Sequence, residues 1–431
     1  MKSYKEMSKA ELLNVKSELL KEYDELKSLN LKLNMQRGNP SPDQLTLSND
    51  LYEGLFEDTG FKASDNSDCR NYGVPFGIPE VRKLFADILG TKSDNVIIGN
   101  SSSLNMMFDQ LSRSCLFGEH NSKTPWMNVE GRKWLCPAPG YDRHFKVTET
   151  LGFELITVPM TPNGPDMDVV EKLVAEDDKI LGMWCVPLYS NPDGYVYSYE
   201  TCKRLCSMKT AANDFRIFWD NAYVVHHLYN EAENQGKLPD VLALSEECGN
   251  PDRFYEFAST SKITLAGSGL ACMAANENNL AKAKSIMSVQ TICTNKVNQL
   301  AHARMLPDLD AVKARMSKHA DILRPKFETV LKVLDDKLSG LDIVSWNKPK
   351  GGFFVSVYVL PGTAKEVVAM CKDLGVALTP AGATYPYGKD PSDSNIRFAP
   401  SFPSLQDIES AVNVFTLCAK IAAVNKLTEE N

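Results

Sequence analysis

The sequence lacks the patterns that mark zinc, disulfide and membrane proteins. Its eleven cysteines form no C-x-x-C pair and no framework of even spacings, and Cys202 and Cys206 are followed by no histidine pair at zinc spacing. No apolar run approaches the roughly 18 residues of a membrane span. Residues 1–30 form a charged amphipathic pattern without an apolar signal core. We therefore expect reduced thiols, no metal, no membrane partner and a cytoplasmic protein.

The chain is also poor in clustered positive charge. Its net charge is −8 over 431 residues, and no basic arm stands out. This balance argues against a nucleic-acid partner, since such proteins concentrate Lys and Arg on one face. The length is a soft indication of two to three domains, and a 43% apolar content can supply large cores.

Between residues 95 and 275, short apolar runs alternate with helical stretches. Near-continuous apolar strands separated by helices are typical of a mostly parallel sheet that is covered on both faces. The pattern predicts an α/β fold whose large sheet has seven strands, at residues 95–98, 133–136, 155–158, 180–186, 215–219, 254–258 and 271–275. In such sheets ligands bind at the carboxyl ends of the strands.

The flanking segments predict a smaller α+β unit. Residues 1–30 are expected to form one helix that packs on a domain or a partner subunit, and residues 31–79 are expected to be irregular. The predicted domains are an N-terminal helix and arm that belongs to the small domain (1–50), a large domain (51–310), and a linker helix with the small C-terminal domain (311–431). Predicted elements of the last part are helices at 311–338, 364–374 and 405–423 and strands at 353–359 and 395–399.

Lys262 lies in a small-polar turn, Ser259-Thr260-Ser261-Lys262, directly after a predicted strand. A lone lysine is more often a surface residue, but a lysine on a hydroxyl-lined turn at a strand end suits an imine-forming amine. Asp220 ends another predicted strand, where a buried acid needs a cationic partner such as a protonated pyridine nitrogen. Its alternative is a helix N-cap. Together the two residues point to pyridoxal phosphate chemistry.

Other polar residues follow strands in the same region. Tyr223 is placed to donate its hydroxyl to the cofactor's phenolic oxygen, and so is Asn191, although Asn-Pro-Asp-Gly is also an ordinary turn. Ser101, Ser102 and Ser103 precede a helix and suit a phosphate site, with simple N-capping as the alternative. Ser259 and Ser261 would close the phosphate site from the lysine side.

Two further candidates are an aromatic residue and an arginine. Tyr141 follows the strand predicted at 133–136 and suits stacking on a cofactor ring, with core packing as the alternative. Arg397 lies inside a predicted apolar strand and suits bidentate binding of a carboxylate, with an ordinary ion pair as the alternative.

From about residue 35 to 420, the ordered set resembles a fold-type I aminotransferase of the class I/II superfamily that depends on pyridoxal phosphate. Details resemble the class Ic aspartate aminotransferases, which share a domain type with the MocR-like aminotransferases. These details are Arg37-Gly38-Asn39-Pro40-Ser41-Pro42, Gly99-Asn100-Ser101-Ser102-Ser103-Leu104, Thr260-Ser261-Lys262-Ile263-Thr264 and Lys296-Val297-Asn298-Gln299-Leu300.

The resemblance implies a role for each matching position. Lys262 would form the aldimine and move the proton, Asp220 would pair with the pyridine nitrogen, and Tyr141 would stack on the ring. Tyr223 and Asn191 would hold the phenolic oxygen. The residues implied for the phosphate are Ser101, Ser102, Ser259, Ser261 and, from a neighbouring subunit, Tyr72. Those implied for the substrate α-carboxylate are Arg397, Asn191 and the Gly38 backbone.

The resemblance also leaves two cations unassigned. Many relatives carry a phosphate-binding arginine eight residues after the lysine, where this chain has Leu270. The implied substrates, L-aspartate and 2-oxoglutarate, need a second cation for the distal carboxylate. Arg37, Arg143 and Lys296 are candidates, and Arg143 is equally a candidate surface residue.

The expected function is transamination by a homodimer through a ping-pong cycle. One alternative is transamination of another amino acid, such as alanine or kynurenine, or a lyase reaction or decarboxylation on the same fold. The other is a regulatory domain that only senses the cofactor. The second is disfavoured because only about 35 residues precede the predicted fold and the chain is acidic.

Overall fold

The structure is a computed structural model that describes residues 2–56, 60–99 and 101–430. The helices in these residues are α1 (Lys9–Ser28), α2 (Pro42–Thr46), α3 (Pro79–Leu89), α4 (Ser103–Phe117), α5 (Asp142–Thr150), α6 (Met167–Glu176), α7 (Tyr199–Ser207), α8 (Val241–Glu247), α9 (Glu277–Gln290), α10 (Lys296–Met305), α11 (Leu309–Leu338), α12 (Ala364–Asp373) and α13 (Leu405–Glu430). The strands are β1 (Leu33–Asn34), β2 (Val96–Ile98), β3 (Lys133–Ala138), β4 (Glu154–Thr161), β5 (Gly164–Pro165), β6 (Ile180–Cys185), β7 (Arg216–Asp220), β8 (Phe254–Ser259), β9 (Ala271–Ala274), β10 (Val344–Trp346), β11 (Val355–Val359), β12 (Val376–Ala377) and β13 (Asn395–Phe398).

Within the described residues the large sheet has eight strands in the order β2-β9-β8-β7-β6-β3-β4-β5. The neighbours from β4 through β3, β6 and β7 to β8 pair in parallel, and β9 is antiparallel to both β8 and β2. Every residue of β6 and β7 is buried, as expected for strands that are covered on both faces. The mostly parallel α/β fold expected from the sequence is therefore present.

All seven strands expected from the sequence occur, and no bound shifts by more than three residues. The eighth strand, β5, has two residues and pairs antiparallel with the end of β4. A two-residue strand leaves no alternating pattern, so the sequence predicted seven strands where eight are found. The strand pair β1–β12, also two residues on each side, was missed for the same reason.

The N-terminal segment forms a helix that begins later than expected. Ser8 caps α1, because its hydroxyl accepts from the Glu11 N–H while the Glu11 carboxylate accepts from the Ser8 N–H. The buried side chains of α1, Leu12 and Leu19, lie in one hydrophobic core with α13 and with β11 and β13. This core is distinct from that of the large sheet. The domain boundaries stated above remain a prediction.

A small antiparallel sheet, β10-β11-β13, belongs to this second core. Its register places Ser356 opposite Arg397 and Tyr358 opposite Asn395. Since side chains alternate along a strand, these four side chains share one face of the small sheet. Among the described residues no helix has the length and apolar character to cross a membrane.

Candidate active site

The carboxyl ends of β3, β6, β7 and β8 meet at one edge of the large sheet, and a cavity of about 410 Å³ opens there. The residues that line it include Tyr141, Asn191, Asp220 and Lys262, each on or just after one of these strands. Arg397 reaches the same cavity from β13 of the small sheet. The topology thus brings together residues that are up to 256 positions apart in the chain (397 − 141).

Lys262 lies on a turn that hydrogen bonds hold firmly at the end of β8. The Thr260 hydroxyl and His302 Nε2 are 3.2 Å apart, and the Thr264 hydroxyl lies 2.9 Å from the same nitrogen. The Lys262 amine lies over the Tyr223 ring, with Nζ 5.2 Å from its centroid, and over the Phe353 ring at 5.7 Å.

These surroundings change the pKa of the Lys262 amine. Burial lowers the pKa of the Lys262 amine, and the nearby Asp220 carboxylate opposes that shift. An amine with a lowered pKa spends more time in the neutral, nucleophilic form.

Asp220 is buried, and its two carboxyl oxygens differ. Oδ2 lies 2.9 Å from His144 Nε2, whereas Oδ1 is buried without a hydrogen-bond partner among the described residues. A buried acceptor without a donor is costly, so a donor from a bound group would satisfy it. The protonated ring nitrogen of a pyridine cofactor has the required chemistry, and the cavity has room beside Asp220. The residues present therefore fit pyridoxal phosphate.

The sequence did not predict the contact of His144 with Asp220, although His144 lies only three residues after Tyr141. Its ring stacks on Trp184 with centroids 4.4 Å apart, and the Tyr141 ring meets it edge-on at 4.9 Å. The stack fixes the plane of the imidazole and so the direction of its contact with Asp220. No sequence pattern links His144 to a residue 76 positions away, but a histidine beside a candidate ring-stacking tyrosine was a usable signal.

Tyr141 and Tyr223 both line the cavity, and the pKa of each hydroxyl is raised. Burial raises the pKa of Tyr141 to about 12, with smaller contributions from the charges of Asp142 and Asp220. Burial likewise raises the pKa of Tyr223 above its usual range. Both hydroxyls therefore stay protonated at neutral pH and can donate hydrogen bonds.

Arg397 is buried and held on three sides. Its Nη1 donates to Asn191 Oδ1 at 3.1 Å and pairs with Asp142 Oδ1 at 3.2 Å, while the guanidinium lies 4.7 Å from the Phe354 ring centroid. Its Nε is buried without a partner among the described residues. A guanidinium with an unused donor on a cavity wall is suited to receive a carboxylate. The sequence did not reveal the roles of Asp142 and Phe354.

Gly38 lines the same end of the cavity. A Cβ added to Gly38 would lie 2.7 Å from Cζ of Phe354. The missing side chain thus lets the backbone approach the ring that stacks on Arg397.

The serines divide into two groups. Ser102, Ser103, Ser259 and Ser261 line the cavity, and Ser102 also caps α4 by accepting from the Asn105 N–H at 3.3 Å. The side chain of Ser101 is exposed, and its carbonyl accepts from the Ser261 hydroxyl at 3.2 Å. Asn100 of the same motif lies outside the described residues.

Leu270, which stands where many relatives have a phosphate-binding arginine, packs in the core of the large sheet. Its N–H donates to the Thr260 hydroxyl at 2.9 Å. Among the described residues that line the cavity, the cations are Lys262, Arg37, Arg143 and Arg397.

The three candidate cations for a distal carboxylate differ in position. Arg37 and Arg143 line the cavity, and neither side chain makes a hydrogen bond or ion pair with another described residue. Lys296 is buried elsewhere, where its amine donates to the carbonyls of Asp68 at 3.3 Å and Tyr72 at 3.0 Å. It therefore holds the loop that carries Tyr72, whose side chain is 75% exposed in the single chain.

Comparisons with known proteins agree with this geometry. The family model described as aspartate amino-transferase matches residues 7–431. The aspartate aminotransferase of Corynebacterium glutamicum is 46% identical over 406 residues, which cover 94% of this chain and 93% of that protein. A putative aminotransferase of Mycolicibacterium smegmatis is 46% identical over 427 residues, or 99% of each chain.

Solved structures give the same result. A crystal structure of an aspartate transaminase from C. glutamicum is 44% identical, covers 99% of each chain and superposes with a TM-score of 0.96. The alpha-aminoadipate aminotransferase of Thermus thermophilus, solved with N-(5'-phosphopyridoxyl)-L-leucine, has a TM-score of 0.72 at 20% identity and covers 93% of this chain and 94% of that one. At that identity the likeness shows the fold alone.

Proposed function

The chain belongs to the aspartate amino-transferase family, and on that premise we propose that it transfers the amino group of L-aspartate to 2-oxoglutarate by a ping-pong mechanism. The observation that carries the substrate is a cavity with one buried, anchored arginine and two further arginines, Arg37 and Arg143, whose side chains pair with none of the described residues. A dicarboxylic amino acid needs cations at both ends, whereas a neutral amino acid needs one.

Pyridoxal phosphate is the cofactor of this fold family, and the cavity residues have the chemistry to hold it. Asp220 would receive the ring nitrogen, Tyr141 would stack on the ring, and Tyr223 with Asn191 would hold the phenolic oxygen. The serines would bind the phosphate: Ser102, Ser103, Ser259 and Ser261 from the cavity wall, and Ser101 from beside it, where its carbonyl accepts from the Ser261 hydroxyl. When bound, the cofactor supplies an electron-withdrawing ring and a carbonyl carbon that carries the amino group between substrates.

Lys262 has two tasks in this proposal. Its amine is the nucleophile that attaches the cofactor, which the lowered pKa favours. Once substrate has released it, Nζ is the base that removes the proton from the substrate's α-carbon. The Tyr223 and Phe353 rings beneath the amine restrict its movement and keep water from that side.

The carboxylates of the substrate would bind at separate cations. Arg397 would receive the α-carboxylate together with the Asn191 amide and the Gly38 backbone. For the distal carboxylate Arg143 is the first candidate, because Arg37 adjoins Gly38, which packs on Phe354 at the Arg397 end of the cavity.

We further propose that the enzyme works as a homodimer. The loop that ends at Tyr72, the short helix at Glu53–Phe56 and the end of α9 expose large apolar side chains: Phe56 81%, Tyr72 75%, Val289 89% and Ile292 66%. Exposed apolar side chains of this size are typical of association surfaces. Tyr72 would then reach the phosphate site of the partner subunit.

A half-reaction screen tests the substrate proposal. Purified enzyme with bound cofactor is mixed with single amino acids while the visible absorbance band is followed, and borohydride with peptide mapping locates the attachment on Lys262. Aspartate and glutamate should bleach the band quickly, and alanine and kynurenine slowly.

Two variants sharpen the screen. Arg143→Gln should raise the KM for aspartate by roughly 10- to 100-fold and leave that for alanine nearly unchanged, since one charged hydrogen-bonded contact is lost. Arg37→Gln is the matched comparison. Faster bleaching by neutral amino acids than by aspartate would refute the dicarboxylate proposal, and a larger effect of Arg37→Gln would assign the distal site to Arg37.

A further inference from the structure

The turn Asn191-Pro192-Asp193-Gly194 is attached to the small sheet at two points. At the first, Asn191 Oδ1 accepts from Arg397 Nη1 at 3.1 Å. At the second, Asp193 Oδ1 accepts from the Tyr358 hydroxyl at 2.6 Å. Arg397 on β13 and Tyr358 on β11 project from the same face of the small sheet. The two contacts therefore join one turn to one face.

The segment after β10 strengthens the second attachment. Asn347 Nδ2 donates to the Asp193 carbonyl at 3.0 Å and to Asp193 Oδ1 at 3.3 Å. Gly194 has φ +71°, and a Cβ there would lie 2.5 Å from the Pro349 Cβ. The turn thus packs closely on residues 347–349, with no room for a side chain at position 194.

The buried position of Asp193 is energetically unfavourable for a carboxylate. It is 1% exposed, and burial raises the pKa of its carboxyl to about 6, against the opposing effect of hydrogen bonds from the Tyr358 and Ser356 side chains. Burying a carboxylate costs free energy that a neutral residue would not cost. What the carboxylate supplies in return is a short, charge-assisted bond to Tyr358, which fixes the turn more strictly than a neutral pair.

We propose that Asp193 is a positioning residue for substrate binding: by clamping the turn onto Tyr358, it sets the Asn191–Arg397 pair at the spacing that receives the substrate carboxylate. This inference rests on the proposed role of Arg397. Asp193 itself touches no substrate, and it acts through Asn191, two residues away.

The experiment compares variants on both sides of the contact. Asp193→Ala removes the acceptor, Tyr358→Phe removes the donor and keeps the ring, and Asp193→Asn keeps an acceptor oxygen for Tyr358. The control is Tyr255→Phe. It removes a hydroxyl that does not line the cavity and that donates to Glu119 Oε2 at 2.5 Å. The holoenzyme is measured for kcat, for KM of the amino donor, for the inhibition constant of succinate and for urea unfolding.

Asp193→Ala and Tyr358→Phe should each raise KM and the succinate inhibition constant by roughly 5- to 20-fold with kcat changed less than about threefold. The double variant should be no worse than Asp193→Ala alone, because both changes remove one interaction. Asp193→Asn, which keeps the acceptor but loses the charge, should lie between Asp193→Ala and wild type. Tyr255→Phe should lower stability only.

The outcomes separate two failures. If Asp193→Ala and Tyr358→Phe leave KM and succinate inhibition within about twofold of wild type while Arg397→Gln raises both, the positioning role is wrong and the carboxylate site stands. If Arg397→Gln also leaves both unchanged, the proposed carboxylate site is wrong. Should Asp193→Ala not fold, Tyr358→Phe and Asp193→Asn decide the matter.

Discussion

At the scale of single residues, the contact between His144 and Asp220 controls the chemistry of the acid. Oδ2 is occupied by the imidazole, which leaves Oδ1 for a bound group. The imidazole is itself fixed by its stack on Trp184. A chain of contacts from the core therefore orients the carboxyl group toward the cavity.

Replacing His144 with phenylalanine should weaken cofactor binding. The ring can still stack on Trp184, but Asp220 then has two unpaired buried oxygens and is held less firmly. We expect the dissociation constant of pyridoxal phosphate to rise by roughly 10- to 100-fold, as for the loss of one hydrogen bond to a charged group. Fluorescence titration of the apoenzyme measures this constant.

His144→Gln is the matched control for this substitution, because its amide can still donate to Asp220. It should lie closer to wild type than His144→Phe. Equal cofactor affinity of wild type and His144→Phe would show that Asp220 does not need its partner.

At the scale of elements, β8 carries both the turn of Lys262 and a buried acid, Glu256. The Asn221 amide donates to Glu256 Oε1 at 3.0 Å, which links β8 to the residue after Asp220. Burial raises the pKa of Glu256 to about 8, from an ordinary value of 4.5. The folded protein therefore binds a proton at this site more tightly than the unfolded chain does.

This shift has a defined sign for stability. Between about pH 4.5 and pH 8 the native state holds the proton and the unfolded state releases it, so the contribution of Glu256 to stability falls as pH rises. Glu256→Gln keeps the acceptor for Asn221 and removes this dependence. Its melting temperature relative to wild type should increase by several degrees from pH 5 to pH 8.

Thermal unfolding at a series of pH values tests this expectation. Glu18→Gln, at an exposed site on α1, is the control and should show no such trend. A constant difference between Glu256→Gln and wild type across the pH range would mean that Glu256 titrates normally.

The elements also show what sequence reasoning can and cannot reach. The largely apolar runs of β6, β7 and β8 were predictable, because burial on both faces leaves a nearly continuous hydrophobic signal. The polar residues at the ends of these strands were predictable because they interrupt the apolar runs. The pairing of Arg397 with Asp142, 255 positions apart, was not, since it depends on how the small sheet meets the large one.

Lys296 illustrates the same limit. Its motif made it a candidate for binding the distal carboxylate of the substrate. In the structure its amine instead donates to the carbonyls of Asp68 and Tyr72. A sequence shows that a residue is charged, but it does not show which backbone atoms lie within reach after folding.

At the scale of the whole molecule, the proposed dimer accounts for exposed apolar side chains that a single chain leaves uncovered. Light scattering of the holoenzyme should give about twice the chain mass of 47.9 kDa. The double variant Val289→Asp, Ile292→Asp should shift the mass toward the monomer and lower cofactor retention, because charges on an association surface oppose its burial.

Leu29→Asp is the control for this variant, since Leu29 is also exposed but lies at the end of α1. It should keep both the dimer and the cofactor. A monomeric wild-type holoenzyme would refute the dimer and with it the role of Tyr72 in the partner's site.

The unpartnered Oδ1 of Asp220 has a consequence beyond catalysis. A chain that folds around an unsatisfied buried oxygen is less stable until a ligand supplies the missing donor, and any ligand that binds only the folded state shifts folding toward it. In a cell, newly made chains without the vitamin-derived cofactor would unfold more often and meet proteases more often. The steady-state amount of the protein, and not only its turnover number, would then follow vitamin B6 supply.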